Sequence, residues 1–208
     1  MALVPEMELL KIQTIAVDAT EGKFVIEPLL PGYGTTLGNA LRRVLLSSLP
    51  GASITTLRIN NATHQFTTLP GGAEDLVEII MNTKQVRLKL HGDESVNLKL
   101  SVKGPKKVTA ADFSLNPQVD VMTKDAHIAT LDKKGELSIE AKVERGRGYL
   151  PTEKRKNEEI PLGMIAIDAI FTPIRKVNFV IENTRVVQET NIDKLTIDVT
   201  TDGTINPV

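Results

Sequence analysis

An α+β architecture follows from three features of this 208-residue sequence. Apolar residues mostly recur with a period of two, as in Val96, Leu98, Leu100 and Val102, which is how half-buried strands read. Only two segments carry helical period. Strands and helices do not alternate regularly, so a doubly wound α/β fold is set aside in favour of mixed sheets.

Residues 12–17 and 23–29 read as strands joined by a turn at 20–22. The next segment, 31–51, is PGYGTTLGNALRRVLLSSLPG, a glycine-led helix stopped by Pro50 and Gly51. Thr35 or Thr36 is placed to cap it, because a threonine hydroxyl can accept from an orphan backbone N–H. Leu37, Ala40, Leu41, Val44, Leu45 and Ser48 fall on one stripe, which Leu46 and Leu49 widen. Ala40 is small enough to admit a close neighbouring backbone. Arg42 and Arg43 stand about 100° apart around the axis, so at least one faces away from the stripe. A helix apolar over so much of its circumference is buried on more than one side. In a chain of this size that points to a second protein.

Residues 54–59 form a short strand ending at Asn60 and Asn61. Gly71 and Gly72 open a second helix, 73–83, with Leu76, Val77, Ile79, Ile80 and Thr83 inward. Glu74, Asp75 and Glu78 near its start and Lys84 at its end suit the helix dipole. Val86, Leu88 and Leu90 then alternate, as do residues 96–102, and the turn at 91–94 makes the two runs read as a hairpin. Leu137, Ile139, Ala141 and Val143 give another strand, and 174–181 and 195–200 the last two. Boundaries near Pro50 and Pro173 suggest a domain built from both chain ends, 1–50 plus 172–208, with residues 51–171 inserted as a strand-rich α+β subdomain.

Composition narrows the function classes. Lys and Arg total 25 against 26 Asp and Glu, a formal net charge of -1, so no basic surface dominates and nucleic-acid binding by this chain alone is disfavoured. With no cysteine, disulfides, zinc thiolates and thiol catalysis are excluded. No signal peptide or 18-residue apolar run is present, so a soluble cytoplasmic protein without membrane contact is expected. His64, His91 and His127 are scattered and show no metal-ligand spacing; no metal and no cofactor is expected. No serine sits in a G-x-S-x-G elbow, and no carboxylate pair suggests an acid and a base, so no catalytic residue is assigned.

Gly32, Gly34 and Gly38 look superficially like a phosphate cradle. The dinucleotide fingerprint would need glycine where Leu37 stands, and a P-loop needs lysine after its last glycine, where Asn39 stands. The glycines read as turn formers. A nucleotide-binding enzyme using this turn stays as the alternative. Arg145-Gly146-Arg147-Gly148-Tyr149 is one basic-aromatic unit without repeats and reads as a surface turn. Glu158 and Glu159, beside Lys154, Arg155 and Lys156, read as a solvated loop.

The chain resembles the N-terminal domain of the bacterial RNA polymerase α subunit. The motifs are LGNALRRVLLSSLPG at 37–51, VTAADF at 108–113, VERGRGYLP at 143–151, TP-x-RKVNF at 172–179 and DKLTIDVTTDGTINP at 193–207. They keep the family's order across nearly the whole chain. The resemblance implies a non-catalytic, homodimeric scaffold in the bacterial cytoplasm, at the nucleoid. On it the β and β′ subunits of a DNA-directed RNA polymerase assemble, without direct DNA contact by this domain. It also implies a dimerisation subdomain made from both chain ends and a second subdomain inserted after the first helix. Carried over by motif, Arg43 and Leu46 contact β. Lys84, and Ile167 before Asp168 and Ala169, serve docking of the large subunits, mainly β′. Tyr33, Leu37, Leu41, Val44 and Leu45 belong to the dimer interface. In the family a second long helix follows the DGTINP segment. Here Asn206 and Pro207 read as its start, with proline at the first helical position, in a truncated or incompletely represented chain. On that expectation part of the first helix's stripe is left uncovered and dimerisation is weakened.

Overall fold

The computed structural model describes residues 10–60, 62, 66–155, 160, 161, 163–186 and 189–208. Its described residues form a mixed α+β fold. In chain order the elements are β1 (Lys11–Val17), β2 (Glu21–Leu29), α1 (Tyr33–Ser48), β3 (Pro50–Ile59), α2 (Leu76–Lys84), β4 (Leu88–Leu90), β5 (Val96–Lys103) and β6 (Lys106–Thr109). There follow β7 (Val119–Val121), β8 (His127–Leu131), β9 (Glu136–Arg147), β10 (Tyr149–Leu150), β11 (Ile165–Ala166), β12 (Ala169–Ile170), β13 (Ile174–Val186) and β14 (Glu189–Thr201). The chain divides into two compact units, Met1–Leu49 with Pro173–Val208, and Pro50–Thr172.

The first unit is an antiparallel sheet in the order β1-β2-β14-β13, with α1 laid on one face. Alternation on the strands sends Ile26, Ile174, Val177, Leu195, Ile197 and Val199 into one core. Leu37, Leu41, Leu45, Leu46 and Leu49 of α1 pack onto it. The seated face is not the one expected from the stripe. Gly34 and Gly38 are its buried residues, whereas Ala40, Val44 and Ser48 are exposed. Within the chain close approach is made at Gly38, where a Cβ would lie 2.7 Å from Cδ2 of Phe179, while Ala40 faces outward. The leucines therefore spend much of their surface on their own sheet. The cap also differs from expectation. The helix starts at Tyr33 with Gly32 as N-cap at φ +84°, so Thr35 and Thr36 lie inside the first turn.

The second unit is built on an antiparallel six-stranded sheet, β5-β9-β3-β4-β7, with β11 also paired to β3. β3 sits between neighbours and is buried along most of its length, which explains why its sequence alternates poorly. Leu98 and Leu100 of β5, Leu137, Ile139, Ala141 and Val143 of β9 and Leu76, Ile79 and Ile80 of α2 fill one core. α2 begins at Leu76, later than its pattern suggests. Asp75 is the N-cap, its Oδ1 accepting from the Glu78 N–H at 2.8 Å. The expected hairpin does not form: β4 pairs with β3 and β7, and β5 pairs with β9. Two half-buried strands alternate alike whichever neighbour they take, so the pattern alone could not choose the partner. The basic-aromatic segment is likewise not a surface turn. Arg145 to Arg147 end β9, paired to β3, and Tyr149 and Leu150 form β10, paired to β12.

Candidate functional site

The N-terminal turn of α1 is the first candidate. Its backbone N–H groups converge on an anion, as a helix N-terminus favours, but that anion is internal. Oδ2 of Asp193 on β14 accepts from the N–H groups of Gly32 at 2.9 Å and Gly34 at 3.1 Å. Asp193 is 7% exposed, so the slot a phosphate would need is filled by the fold itself.

The outer surface of α1 is the second. Arg42 and Arg43 are both exposed, as are Tyr33 and Val44. Leu46 is half-buried against the core of its unit, together with Leu37, Leu41 and Leu45. Among the described residues neither arginine has an ion-pair or side-chain hydrogen-bond partner. One turn on, the Ser47 hydroxyl donates to the Arg43 carbonyl at 2.7 Å.

The C-terminal end of α2 is the third. Lys84 Nζ lies 3.0 Å from Oδ2 of Asp168, and both side chains are about three-quarters covered. Oδ1 of Asp168 accepts from the Thr152 N–H at 2.9 Å. That hydrogen bond, and then the Lys84 ammonium, hold the Asp168 carboxyl below the ordinary range despite some burial. Ile167, expected at a docking surface, is a core residue at 4% exposure. Its N–H donates to Thr55 on β3 at 3.0 Å. The alternating segment 164–171 turns Ile167 into the core and leaves Asp168 toward Lys84. Sequence reading thus brought Lys84 and Ile167 to one neighbourhood but passed over Asp168, whose charge opposite a helix-terminal lysine was the available signal.

Arg155 was also misread, since it is not solvated. It is 5% exposed, with Nη1 donating to the Thr55 carbonyl at 3.0 Å and Nη2 3.6 Å from Oε2 of Glu144. Lys156, Glu158 and Glu159 lie outside the described residues, as does His64. His91 faces Asp120 and His127 faces Glu74, at 2.7 and 2.8 Å. Among the described residues no group of three or more His, Cys, Asp or Glu is arranged to hold a metal. None of their helices is long and apolar enough to cross a membrane.

The family model of the RNA polymerase Rpb3/RpoA insert domain matches residues 57–172. A DNA-directed RNA polymerase subunit alpha from Oceanobacillus iheyensis is 52% identical over 97% of this chain. The chain belongs to the bacterial RNA polymerase α-subunit family. Subunits alpha from Symbiobacterium thermophilum and Alkaliphilus oremlandii are 51% and 47% identical, each over 97% of this chain. The chain spans 65%, 64% and 64% of the length of these three relatives. In this α-subunit chain the segment matching the insert-domain family lies within the Pro50–Thr172 unit, which contains Lys84, Ile167 and Asp168.

Proposed function

We propose that this chain is an assembly scaffold of bacterial DNA-directed RNA polymerase. Two copies pair through the unit made from both chain ends, and the pair gathers the β and β′ subunits. It contributes no catalytic residue; nucleotidyl transfer belongs to β and β′. It works in the cytoplasm, at the nucleoid. The observation that carries this reading is the 52% identity to an α subunit across 97% of the chain. Two features support the details. Arg43 is an exposed cation on a helix anchored by its opposite face, so it can meet a partner without cost to the fold. Tyr33 and Val44, both more than half exposed, leave apolar surface on the same helix for the second copy.

The nucleotide alternative loses its physical basis at Asp193, which already satisfies the N–H groups of Gly32 and Gly34. The deciding experiment is capture of β by this chain and by Arg43→Ala. Because Arg43 is exposed, stability should change by less than about 0.5 kcal/mol, while β capture should fall. Equal capture by the two proteins would remove Arg43 from the β surface. A saturable thermal shift with nucleoside triphosphates would instead count against the scaffold.

A further inference from the structure

We propose that Asp168 is a positioning residue through which Lys84 acts: Lys84 serves docking by holding the β10–β12 pair in place and does not itself touch the partner. The inference rests on the scaffold reading for its docking part and on geometry for the rest.

The lysine is already committed. Its ammonium lies 3.0 Å from Asp168, and only 26% of its side chain is exposed. A lysine reaching for another subunit would be expected to extend into solvent, where its long stem is free to move. The carboxylate joins three pieces of one unit. Oδ2 takes the lysine at the end of α2, and Oδ1 takes the N–H of Thr152, two residues beyond β10. Asp168 itself sits between Ile167, buried and tied to β3 through Thr55, and Ala169, the first residue of β12. A second tether leaves the same end of α2: Arg87 Nη1 donates to the Ile170 carbonyl at 3.4 Å.

β10 and β12 are two residues each, too short to hold their own geometry. Tyr149 and Leu150 pair with Ile170 and Ala169. The pair carries Tyr149, 58% exposed, at the outer surface. Loss of either Lys84 or Asp168 should therefore loosen the same strands. On this account Ile167 and Lys84 are parts of one support, one through packing and the other through charge.

The test combines amide exchange at Thr152 with capture of β′, using Lys84→Ala, Lys84→Arg, Asp168→Ala and the Lys84→Ala/Asp168→Ala pair. Lys84→Ala and Asp168→Ala should each speed exchange of the Thr152 amide by about tenfold or more. Both should lower β′ capture by a similar factor. Lys84→Arg should retain capture, and the double variant should capture no less than the weaker single variant. Normal capture by Asp168→Ala beside failure of Lys84→Ala would overturn the proposal, because Lys84 would then touch β′ directly. Unchanged Thr152 exchange in Asp168→Ala would overturn it whatever the capture result. If the parent chain captured neither β nor β′, the scaffold reading would fail, and the exchange data would still decide whether the latch exists.

Discussion

Gly38 shows how one missing methyl group decides which face of a helix is seated. In α1 it lies against the ring of Phe179, whose Cδ2, Cε2 and Cγ would be 2.7, 2.9 and 3.0 Å from an added Cβ. Because Cγ is among them, the overlap reaches the base of the ring, and a small swing of its far edge cannot relieve it. Gly38→Ala would gain about 1 kcal/mol of helix propensity. It would lose about 1–3 kcal/mol to overpacking. The balance favours loss, so the urea midpoint should fall; a rise would mean that Phe179 yields easily. Sequence reading passed over Gly38 as a seat, since an apolar stripe counts side chains and gives a glycine no weight. Asp193 was invisible for a related reason. Its partner N–H groups, those of Gly32 and Gly34, lie about 160 positions away and have no side-chain signature. Arg155 was misread because a run of charged neighbours looks solvated, whereas its guanidinium is folded inward onto Thr55 and Glu144.

Between elements, the period of a strand states which face is buried but not which strand lies beside it. β5 and β9 were both recognised from alternation, yet β5 was joined to the wrong neighbour. The actual register sets Lys99 opposite Glu140 and Leu100 opposite Ile139. Lys99 Nζ also stands 3.9 Å from Oε1 of Glu140, on the solvent side of the sheet. The absence of cysteine makes this pairing directly testable. Lys99→Cys with Glu140→Cys should close an intramolecular disulfide on mild oxidation, since directly opposed strand residues have Cβ atoms within about 5.5 Å. A protease digest followed by mass spectrometry should find the two segments linked only without reductant. Lack of that link would favour the β4–β5 hairpin that the alternation suggested. α2 was closer to legible, because its inward face repeats cleanly and Asp75, an ordinary capping residue, lies at its start. Its first turn was misplaced by three residues since Glu74, acidic like a helix-start residue, is used elsewhere: Oε2 accepts from the Thr130 N–H at 2.7 Å.

At the scale of the whole molecule, the α+β class was legible because periods of two and 3.6 survive any choice of neighbours. The family was legible because long motifs keep one order along the chain. Energetic organisation was not legible, and it yields a prediction about acid. Among the described residues four carboxyls are held below their ordinary range, and all four lie in the Pro50–Thr172 unit. Burial opposes ionisation of Glu74, but hydrogen bonds from Thr130 and His127 outweigh it. Burial likewise opposes ionisation of Asp112 and Glu144; Lys106 and the Thr109 N–H prevail at the first, and Lys142, Thr55 and Arg155 at the second. At Asp168 the Thr152 N–H leads and Lys84 adds to it. In each case the unfolded chain binds its proton at higher pH than the folded one. Stability from these groups is therefore fully present above the unfolded carboxylate values of about 4. It is lost as pH falls from there through the folded values, so stability rises with pH across that window. Urea titrations at a series of pH values should give a flat midpoint from pH 7 to 5.5 and a falling one below about 4.5. Asp168→Asn should flatten part of that fall, because the substituted side chain no longer titrates. A midpoint that stayed constant down to pH 3 would show that these four carboxyls gain nothing from their partners. A fall left unaltered by Asp168→Asn would place the acid sensitivity outside the latch at Lys84.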